Sequence, residues 1–273
     1  MSSLQRSQKC RIDYDDAYAN AAYIPNADDF ITRWQSDASA FRSDMLEQQR
    51  AELDTAYGQS KRQTYDVFHP VGEAKGTLVF VHGGYWRRFD KSYWSHFSHG
   101  ALAQGWRVVM PSYDLCPRVT IAEITQQMRS CVTQIAEKFA GPIALTGHSA
   151  GGHLVARLGV PDVLSDDLIS RITQIVPISA VADLRTLVFT EMNNDFRLTD
   201  ETATAESPAL MPKPICPVTV WVGGDERPVF LEQSMILAEN WGAKMIVRQG
   251  EHHFDVIDGL KDPNSILVRL LTT

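Results

Sequence analysis

The sequence lacks a long basic run, a long apolar run and any close pair of cysteines. Its formal net charge is −7, so neither nucleic acid nor an anionic membrane is expected as its main partner. No apolar stretch approaches the ~20 residues of a membrane span, and the opening MSSLQRSQKCRIDYDD holds no signal-peptide core. These absences favour a cytoplasmic protein that acts on a small diffusible molecule. The sequence leaves open whether it is a monomer or a homodimer.

Cysteine and histidine spacing argues against a structural metal or a disulfide framework. The four cysteines are far apart, at Cys10, Cys116, Cys131 and Cys216, and none forms a C-x-x-C pair. Reduced and mostly buried thiols are therefore expected. No two histidines lie four residues apart, so no metal site is predicted, and the sequence implies no cofactor.

Composition and periodicity indicate one globular α/β domain over residues 1–273, although the length alone would allow two. Hydrophobic residues make up 44% of the chain and charged residues 22%, as in ordinary globular proteins. From about residue 64, short β-branched runs alternate with segments of helical period, which predicts a mostly parallel sheet with helices on both faces. The predicted strands are Thr77–Val81, Trp106–Met110, Ile143–Thr146, Ile175–Ile178, Val218–Val222 and Met245–Val247.

Helical period and capping signals predict the connecting elements. Thr120 and Glu123 have the spacing of a capping box before a long amphipathic helix. Further helices are predicted at Ser92–Gln104, Asp162–Arg171 and Phe230–Trp241. Residues 1–62 form a predicted N-terminal arm, with a helix near Asp37–Ala56. The irregular stretch 188–217 is long for a simple connection, so it is predicted to be a lid or cap segment.

The motif Gly147-His148-Ser149-Ala150-Gly151 follows the apolar run PIALT and precedes a helical run. A serine at a sharp strand-to-helix turn needs residues without side chains two positions to each side, because neighbouring backbone crowds the turn. Such a turn lifts the hydroxyl out of the sheet. Ser149 is therefore predicted to be a nucleophile, and the alternative is a small-residue turn without chemistry.

A second motif, FVHGGYWRR, places Gly83 and Gly84 directly after a predicted strand. Acyl transfer builds negative charge on the carbonyl oxygen, and backbone N–H groups exposed by glycines can hold that charge. The pattern is that of the HGG-type oxyanion holes of lipases and esterases. A plain glycine turn is the alternative.

A nucleophilic serine needs an acid and a histidine, which in this fold follow it in that order. The loops after the last two predicted strands supply two candidates for each role. Counting from the first glycine of its loop favours Glu226 over Asp225 as the acid. The position directly before Phe254 favours His253 over His252 as the base. Both alternatives stay open.

The remaining notable side chains lie beside these motifs. His148 and His153 flank the serine and are interpreted as structural, because a residue so near in sequence cannot normally turn its ring to the hydroxyl. Aromatic residues after the HGG motif either line a pocket for an aryl group or pack the core, and the nearby cations either meet a substrate carboxylate or are solvated. The aromatic residues are Tyr85, Trp86, Tyr93 and Trp94, and the cations are Arg87, Arg88 and Lys91.

These stretches together resemble the kynurenine formamidases (arylformamidases) of the α/β-hydrolase fold, within the esterases that resemble hormone-sensitive lipase. The resemblance runs from about Tyr57 to Asp258 and rests on HGGYW, PSYDLCPRVTIAEITQQM, GHSAGGHL, PISAVADLR and HHFDVID. It implies Ser149 as nucleophile, His253 as base, and an oxyanion hole from the N–H groups of Gly83, Gly84 and Ala150.

The resemblance also favours Glu226, because the family's acid precedes a Pro-x-Phe element that Pro228-Val229-Phe230 matches. The family often has aspartate there, and this departure keeps Asp225 open. The implied reaction is hydrolysis of N-formyl-L-kynurenine to L-kynurenine and formate, without a cofactor. A carboxylesterase that acts on small acyl esters is the alternative, and a non-catalytic binding protein of the same fold is a third reading.

Overall fold

The computed structural model describes residues 12–161 and 163–273. Within these residues, eight strands form one sheet in the order β1-β2-β4-β3-β5-β6-β7-β8. The strands are β1 (Ala51–Ala56), β2 (Thr64–Phe68), β3 (Thr77–Val81), β4 (Arg107–Pro111), β5 (Ile143–His148), β6 (Ile172–Ile178), β7 (Thr219–Gly223) and β8 (Lys244–Arg248). Strands β3 to β8 run parallel, whereas β2 is antiparallel to both β1 and β4. The sheet is therefore antiparallel only at its β1 edge.

The central strands are apolar because both of their faces are covered. Strands β3 and β5 are buried along their whole length. Val79 and Val81 of β3 belong to one hydrophobic core, and Leu78 and Phe80 belong to a second. Successive residues of a strand point to opposite faces, so the two cores lie on opposite sides of the sheet. The carboxyl ends of the strands are left for the loops that carry chemistry.

The described residues also contain ten α-helices. They are α1 (Tyr14–Ala17), α2 (Ala27–Glu47), α3 (His99–Ala103), α4 (Ile121–Lys138), α5 (Ala150–Gly159), α6 (Asp166–Ile169), α7 (Asn193–Phe196), α8 (Asp200–Ala205), α9 (Pro228–Trp241) and α10 (Ile266–Leu271). Short 3₁₀ helices lie at Ala21–Tyr23, Lys91–Tyr93, Ser95–Ser98, Leu184–Phe189, Pro208–Leu210 and Asp258–Lys261. No helix in the described ranges combines the length and the apolarity needed to cross a membrane.

Most predicted elements appear near their predicted bounds. The predicted strand Thr77–Val81 has the observed limits of β3, and the capping box forms at the start of α4. The predicted helix Ser92–Gln104 is instead divided into 3₁₀ turns and the short α3. The predicted helix Asp162–Arg171 contracts to α6, and Asp162 itself lies outside the described residues.

The prediction for the N-terminal arm is wrong in its second half. The helix begins before Asp37 and ends at Glu47, and residues 51–56 form strand β1 instead of helix. Gln49, with φ of 55°, turns the chain between the two elements. Strand β1 pairs with β2, and its side chains alternate between half-buried and exposed. Pairing with β2 therefore overrides the helical tendency of AELDTA, and the arm supplies the edge of the same sheet.

Short helices replace the irregular structure predicted for residues 188–217, which we call the cap segment. Helices α7 and α8 lie within it. Its Glu206 is buried and forms an ion pair with Arg157 of α5, with Oε2 3.2 Å from Nε. Thr125 of α4 donates a hydrogen bond of 2.9 Å to the same carboxylate oxygen. These contacts hold the cap segment on the helical layer, and its role as a lid stays a prediction.

The cysteines of the described ranges carry free thiols. Cys116 and Cys131 are buried and Cys216 is half-buried, while Cys10 lies outside the described residues. Burial raises the pKa of the Cys116 and Cys216 thiols to about 11. A thiol with so high a pKa holds little of the reactive thiolate near neutral pH.

Candidate active site

Ser149 lies at the sharp turn between strand β5 and helix α5. Its φ of 56° and ψ of −115° place it in a region that residues with a side chain rarely occupy. Its N–H donates to the carbonyl of Ile178 on β6 at 2.8 Å, and its carbonyl accepts from His153 at 3.0 Å. The serine is 3% exposed. Backbone hydrogen bonds on both sides of the turn thus maintain the strained conformation that presents the hydroxyl.

Glycine is required on both sides of this serine because backbone atoms lie too close for a side chain. A β-carbon at Gly151 would stand 2.0 Å from the carbonyl oxygen of Val81, and one at Gly147 would stand 2.4 Å from that of Gly151. A β-carbon at Gly83 would lie 3.1 Å from the β-carbon of Ser149. The HGG loop therefore passes directly beside the predicted nucleophile.

Glu226 and His253 form a buried contact beside this turn. His253 Nδ1 lies 2.5 Å from Glu226 Oε2. The His253 side chain is 4% exposed and that of Glu226 is fully buried. Ser149 and His253 line the same pocket, although no hydrogen bond links Ser149 Oγ to His253 among the described residues. In a free enzyme such a contact often tightens only when substrate binds.

The alternatives, Asp225 and His252, point elsewhere. Asp225 is exposed, and its N–H donates to the carbonyl of Glu251. His252 packs edge-on against Phe30, and its Nδ1 lies 3.2 Å from the Asp255 carboxylate. Neither side chain contacts the Glu226–His253 pair through a hydrogen bond. The geometry thus brings Glu226 and His253 together with the serine turn and leaves the adjacent candidates outside.

Two donors that the sequence reasoning missed hold the Glu226 carboxylate. Its Oε1 accepts a very short hydrogen bond from the hydroxyl of Ser179 and a bond of 2.9 Å from the N–H of Gly223. Ser179 is fully buried and has a positive φ of 49°. Its position directly after β6, at the carboxyl edge of the sheet, is the signal that could have found it. With Oε1 satisfied, Oε2 is left for His253.

His148 contacts the loop that carries His253. Its Nε2 donates to the backbone carbonyl of His253 at 2.8 Å, and the two ring centroids are 4.6 Å apart. Burial holds the pKa of His148 well below its ordinary value, so its ring stays neutral. His153 is equally buried, and its Nε2 donates to the carbonyl of Glu206 at 2.7 Å. Both rings thus make structural contacts to backbone carbonyls.

Three backbone N–H groups near Ser149 have no acceptor in the described ranges. They belong to Gly83 and Gly84 of the HGG loop and to Ala150, the first residue of α5. Gly84 has a φ of +111°, and a β-carbon there would lie 2.5 Å from the carbonyl oxygen of Arg88. Unpaired N–H groups at a helix N-terminus and in a glycine loop are well suited to an anionic oxygen.

A pocket of about 360 Å³ opens beside Ser149 and His253. Aromatic rings form much of its wall, and they come from the arm, the HGG loop and the histidine loop. These residues are Tyr18, Trp34, Tyr85, Phe89, Trp94 and Phe254. The volume lies in the range of pockets that bind small molecules.

Some of the aromatic side chains that follow the HGG motif line the pocket, and others do not. Tyr85 and Trp94 line the pocket, whereas Trp86 is fully buried outside it and packs edge-on against His153 and Phe196. Tyr93 is not among the lining residues either. Trp86 therefore belongs to the core, as the alternative reading of the aromatic run held.

Sequence reasoning missed the contribution of the N-terminal arm. Tyr18, Asn20 and Trp34 line the pocket, and the carbonyl of Tyr18 accepts a hydrogen bond of 2.7 Å from the Tyr85 hydroxyl. An ion pair of 2.6 Å joins Asp16 to Arg227, the residue after Glu226. No motif marks the arm, so its place over the site follows only from the tertiary structure.

Among the described residues, no group of three His, Cys, Asp or Glu side chains is arranged to hold a metal ion. The functional groups that the structure brings together at the site are a hydroxyl, an imidazole, a carboxylate and backbone N–H groups. This set can carry out acyl transfer through a covalent intermediate.

Comparison with known proteins agrees with this geometry. The kynurenine formamidase of Danio rerio is 26% identical over 234 residues, which is 80% of each chain. A solved structure from Silicibacter sp., named a "putative thioesterase", is 50% identical with a TM-score of 0.93, covering 96% of this chain and 100% of that one. An esterase of Pyrobaculum calidifontis has a TM-score of 0.67 at 17% identity, covering 90% of this chain and 92% of its own, and that likeness concerns the fold alone.

The profile of the α/β-hydrolase fold matches residues 78–217, which include the HGG loop, the serine turn and the cap segment. The predicted fold class and the predicted resemblance to kynurenine formamidases are both confirmed. The relatives and the fold together identify an enzyme of the hydrolase class. The chain belongs to the α/β-hydrolase fold family.

Proposed function

We propose that this hydrolase uses Ser149 as its nucleophile, His253 as its base and Glu226 as the acid that orients the base. The observation that carries the proposal is the buried 2.5 Å contact between His253 Nδ1 and Glu226 Oε2, beside the strained serine turn. A carboxylate on Nδ1 keeps the proton on that nitrogen, so Nε2 is free to accept the proton of Ser149. The same carboxylate stabilises the imidazolium that then forms.

The reaction proceeds in two balanced steps. His253 Nε2 takes the proton of Ser149 Oγ as that oxygen bonds to the carbonyl carbon of the substrate. The bond from this carbon to the leaving nitrogen or oxygen then breaks, and the leaving group takes the proton from His253. In the second step water attacks the carbonyl carbon of the acyl-enzyme and gives a proton to His253. The bond from that carbon to Ser149 Oγ then breaks, Ser149 takes the proton from His253, and the carboxylic acid leaves.

Backbone N–H groups of Gly83, Gly84 and Ala150 form the proposed oxyanion hole. Their lack of an acceptor within residues 12–161 and 163–273 supports this role. Ala150 directly follows Ser149, and the HGG loop runs beside the serine, since a β-carbon at Gly83 would lie 3.1 Å from that of Ser149. Fixed donors of this kind stabilise the tetrahedral intermediate without reorganisation.

We further propose N-formyl-L-kynurenine as the substrate, with L-kynurenine and formate as products. The kynurenine formamidase of Danio rerio covers most of this chain and supports the assignment. The aromatic pocket next to Ser149 fits the single aryl ring of this molecule. A formyl group also needs little space on the acyl side of the serine.

Cleavage of small acyl esters or thioesters is the second candidate. The name of the Silicibacter protein, at 50% identity, favours it. The chemistry at Ser149 would be the same, since only the leaving group changes. Fold and catalytic residues alone do not separate the two candidates.

Substrate comparison tests both. We expect kcat/KM for N-formyl-L-kynurenine to exceed that for p-nitrophenyl acetate and acetyl-thiocholine, and Ser149→Ala to remove turnover of all three. Ester or thioester turnover thousands of times faster than formamide turnover would instead favour the second candidate. Wild-type inactivity on all substrates would favour a non-catalytic binding protein.

Adjacent histidines provide a matched control for the base. We expect His253→Gln to lower kcat by at least ~10³-fold, because the Ser149 proton then has no acceptor. His252→Gln should retain kcat within about twofold, since its ring contacts Phe30 and Asp255 and not the serine. The reverse outcome would make His252 the base.

A further inference from the structure

The pocket beside Ser149 carries charges of both signs on its wall. Arg87 and Arg88 contribute the positive charges, and Asp15 of the arm contributes a carboxylate. Most of the rest of the wall is aromatic or aliphatic. A ligand pairs most readily with a charge that has no partner within the protein.

Two nearby cations form ion pairs within the protein. Arg87 Nε lies 2.6 Å from Asp195 of the cap segment. Lys91 is buried, with Nζ 2.6 Å from Asp54 Oδ1 and 2.9 Å from Asp66 Oδ1. A substrate carboxylate would compete with Asp195 at Arg87 and with two carboxylates at the buried Lys91, so both cations are less available to a ligand than an unpaired one.

Arg88 differs from these cations. It forms no ion pair among the described residues, and its side chain is exposed at the pocket. Its Cζ lies 5.2 Å from the ring centroid of Phe89, another residue of the pocket wall. The ring steadies the guanidinium without using its hydrogen-bond donors. Arg88 is therefore a positioned cation with all its donors available.

Asp15 provides the opposite charge. It is exposed, and its Oδ1 accepts a hydrogen bond of 2.7 Å from the N–H of Glu191 in the cap segment. No ion pair joins Asp15 to Arg88, although both line one pocket. Neither charge neutralises the other, so each is left to attract the opposite charge of a ligand in this pocket.

We propose that this pocket binds the α-amino acid group of an aromatic substrate, with Arg88 on the carboxylate and Asp15 on the ammonium. The inference deepens the proposed function and rests on it for the position of the scissile bond. The aryl ring would lie against the aromatic wall, between the charged end and Ser149. A guanidinium matches a carboxylate with two parallel hydrogen bonds, which gives orientation as well as affinity.

Product binding tests this subsite without relying on turnover. L-kynurenine carries the amino acid group, and 2-aminoacetophenone is the same aryl ketone without it. Quenching of the fluorescence of Trp34 and Trp94, both in the pocket, would report the Kd of each. We expect wild type to bind L-kynurenine at least tenfold more tightly than 2-aminoacetophenone.

Substitutions then test which side chain binds which charged group of the ligand. Arg88→Gln should raise the Kd for L-kynurenine by about 10- to 100-fold and leave that for 2-aminoacetophenone within about twofold. Asp15→Asn should weaken L-kynurenine binding in the same selective way. Arg129→Gln, on the exposed face of α4, is the control that should change neither value.

Other outcomes would overturn the assignment. They are equal effects of Arg88→Gln on both compounds, no effect on either, or a larger effect of Arg87→Gln. Failure of wild type to bind L-kynurenine would overturn it too. If binding depends on Arg88 but N-formyl-L-kynurenine is not hydrolysed, the amino acid subsite stands and only the proposed reaction fails.

Discussion

Replacing Glu226 with glutamine tests whether this carboxylate orients the base. The substitution changes one atom and keeps the length of the side chain. Oε1 of Glu226 accepts from both Ser179 and Gly223, so the amide oxygen of glutamine must take that position. The amide NH₂ group then faces His253 Nδ1, where the carboxylate oxygen now lies at 2.5 Å.

An NH₂ group at this position forces the wrong tautomer on His253. Nδ1 must accept a hydrogen bond, so the ring proton moves to Nε2, which can no longer take the proton of Ser149. The corresponding change in a serine protease costs about 10⁴-fold in kcat, or about 5.5 kcal/mol of transition-state stabilisation. We expect a loss of about 10³- to 10⁴-fold here, with little loss of fold because both donors keep an acceptor.

The assay is kcat/KM at neutral pH on N-formyl-L-kynurenine and on p-nitrophenyl acetate, with the thermal midpoint measured alongside. Asp225→Asn is the matched control, since that side chain is exposed, and it should retain activity within about twofold. Glu226→Gln enzyme that keeps more than a tenth of wild-type activity would refute the reasoning. So would an equal loss in Asp225→Asn.

Two further predictions concern stability. Gly151→Ala should lower the free energy of unfolding by about 2–3 kcal/mol, because the new β-carbon would clash with the Val81 carbonyl. The Tm should fall by roughly 5–10 °C. Gly259→Ala is the control and should change the Tm little, because a β-carbon there makes ordinary contacts at 3.7 Å. Burial lowers the pKa of His82, His96 and His153 to about 4, so the unfolded chain binds more protons between pH 6.5 and 4. The contribution of these rings to the free energy of unfolding should be complete above pH 6.5. It should fall by up to about 1.4 kcal/mol per pH unit for each ring as the pH drops from there. A free energy of unfolding in urea that is the same at pH 7 and pH 5 would contradict this.

Local pattern was enough to predict strands β3 to β8 and the serine turn. Strand β3 is apolar after Thr77 and the capping box lies at Thr120, so neighbours in sequence determine both features. The spacing of Gly147 and Gly151 about Ser149 likewise reflects a steric requirement of one turn. Such features follow from residues a few positions apart, and the sequence displays them directly.

Pairing between distant segments could not be predicted from the sequence. Residues 51–56 form strand β1 because β2 offers them hydrogen bonds, which no local propensity reveals. His148 supports the His253 loop across 105 positions of the chain, and Ser179 reaches Glu226 across 47. These contacts depend on the order of the strands and on the loops at their carboxyl ends.

The sequence by itself determined the fold and the hydrolase class, because motifs of a few neighbouring residues carry both, and it predicted the order of serine, acid and histidine along the chain. Only the tertiary structure decided that Glu226, and not Asp225, contacts His253, because burial and hydrogen bonds distinguish two adjacent side chains that composition cannot. It also decided that the arm lines the pocket and that, within the part of the chain the structure describes, Lys91 has internal ion pairs whereas Arg88 has none. Charge alone reveals a cation, but the packing around it determines whether that cation is available to a substrate.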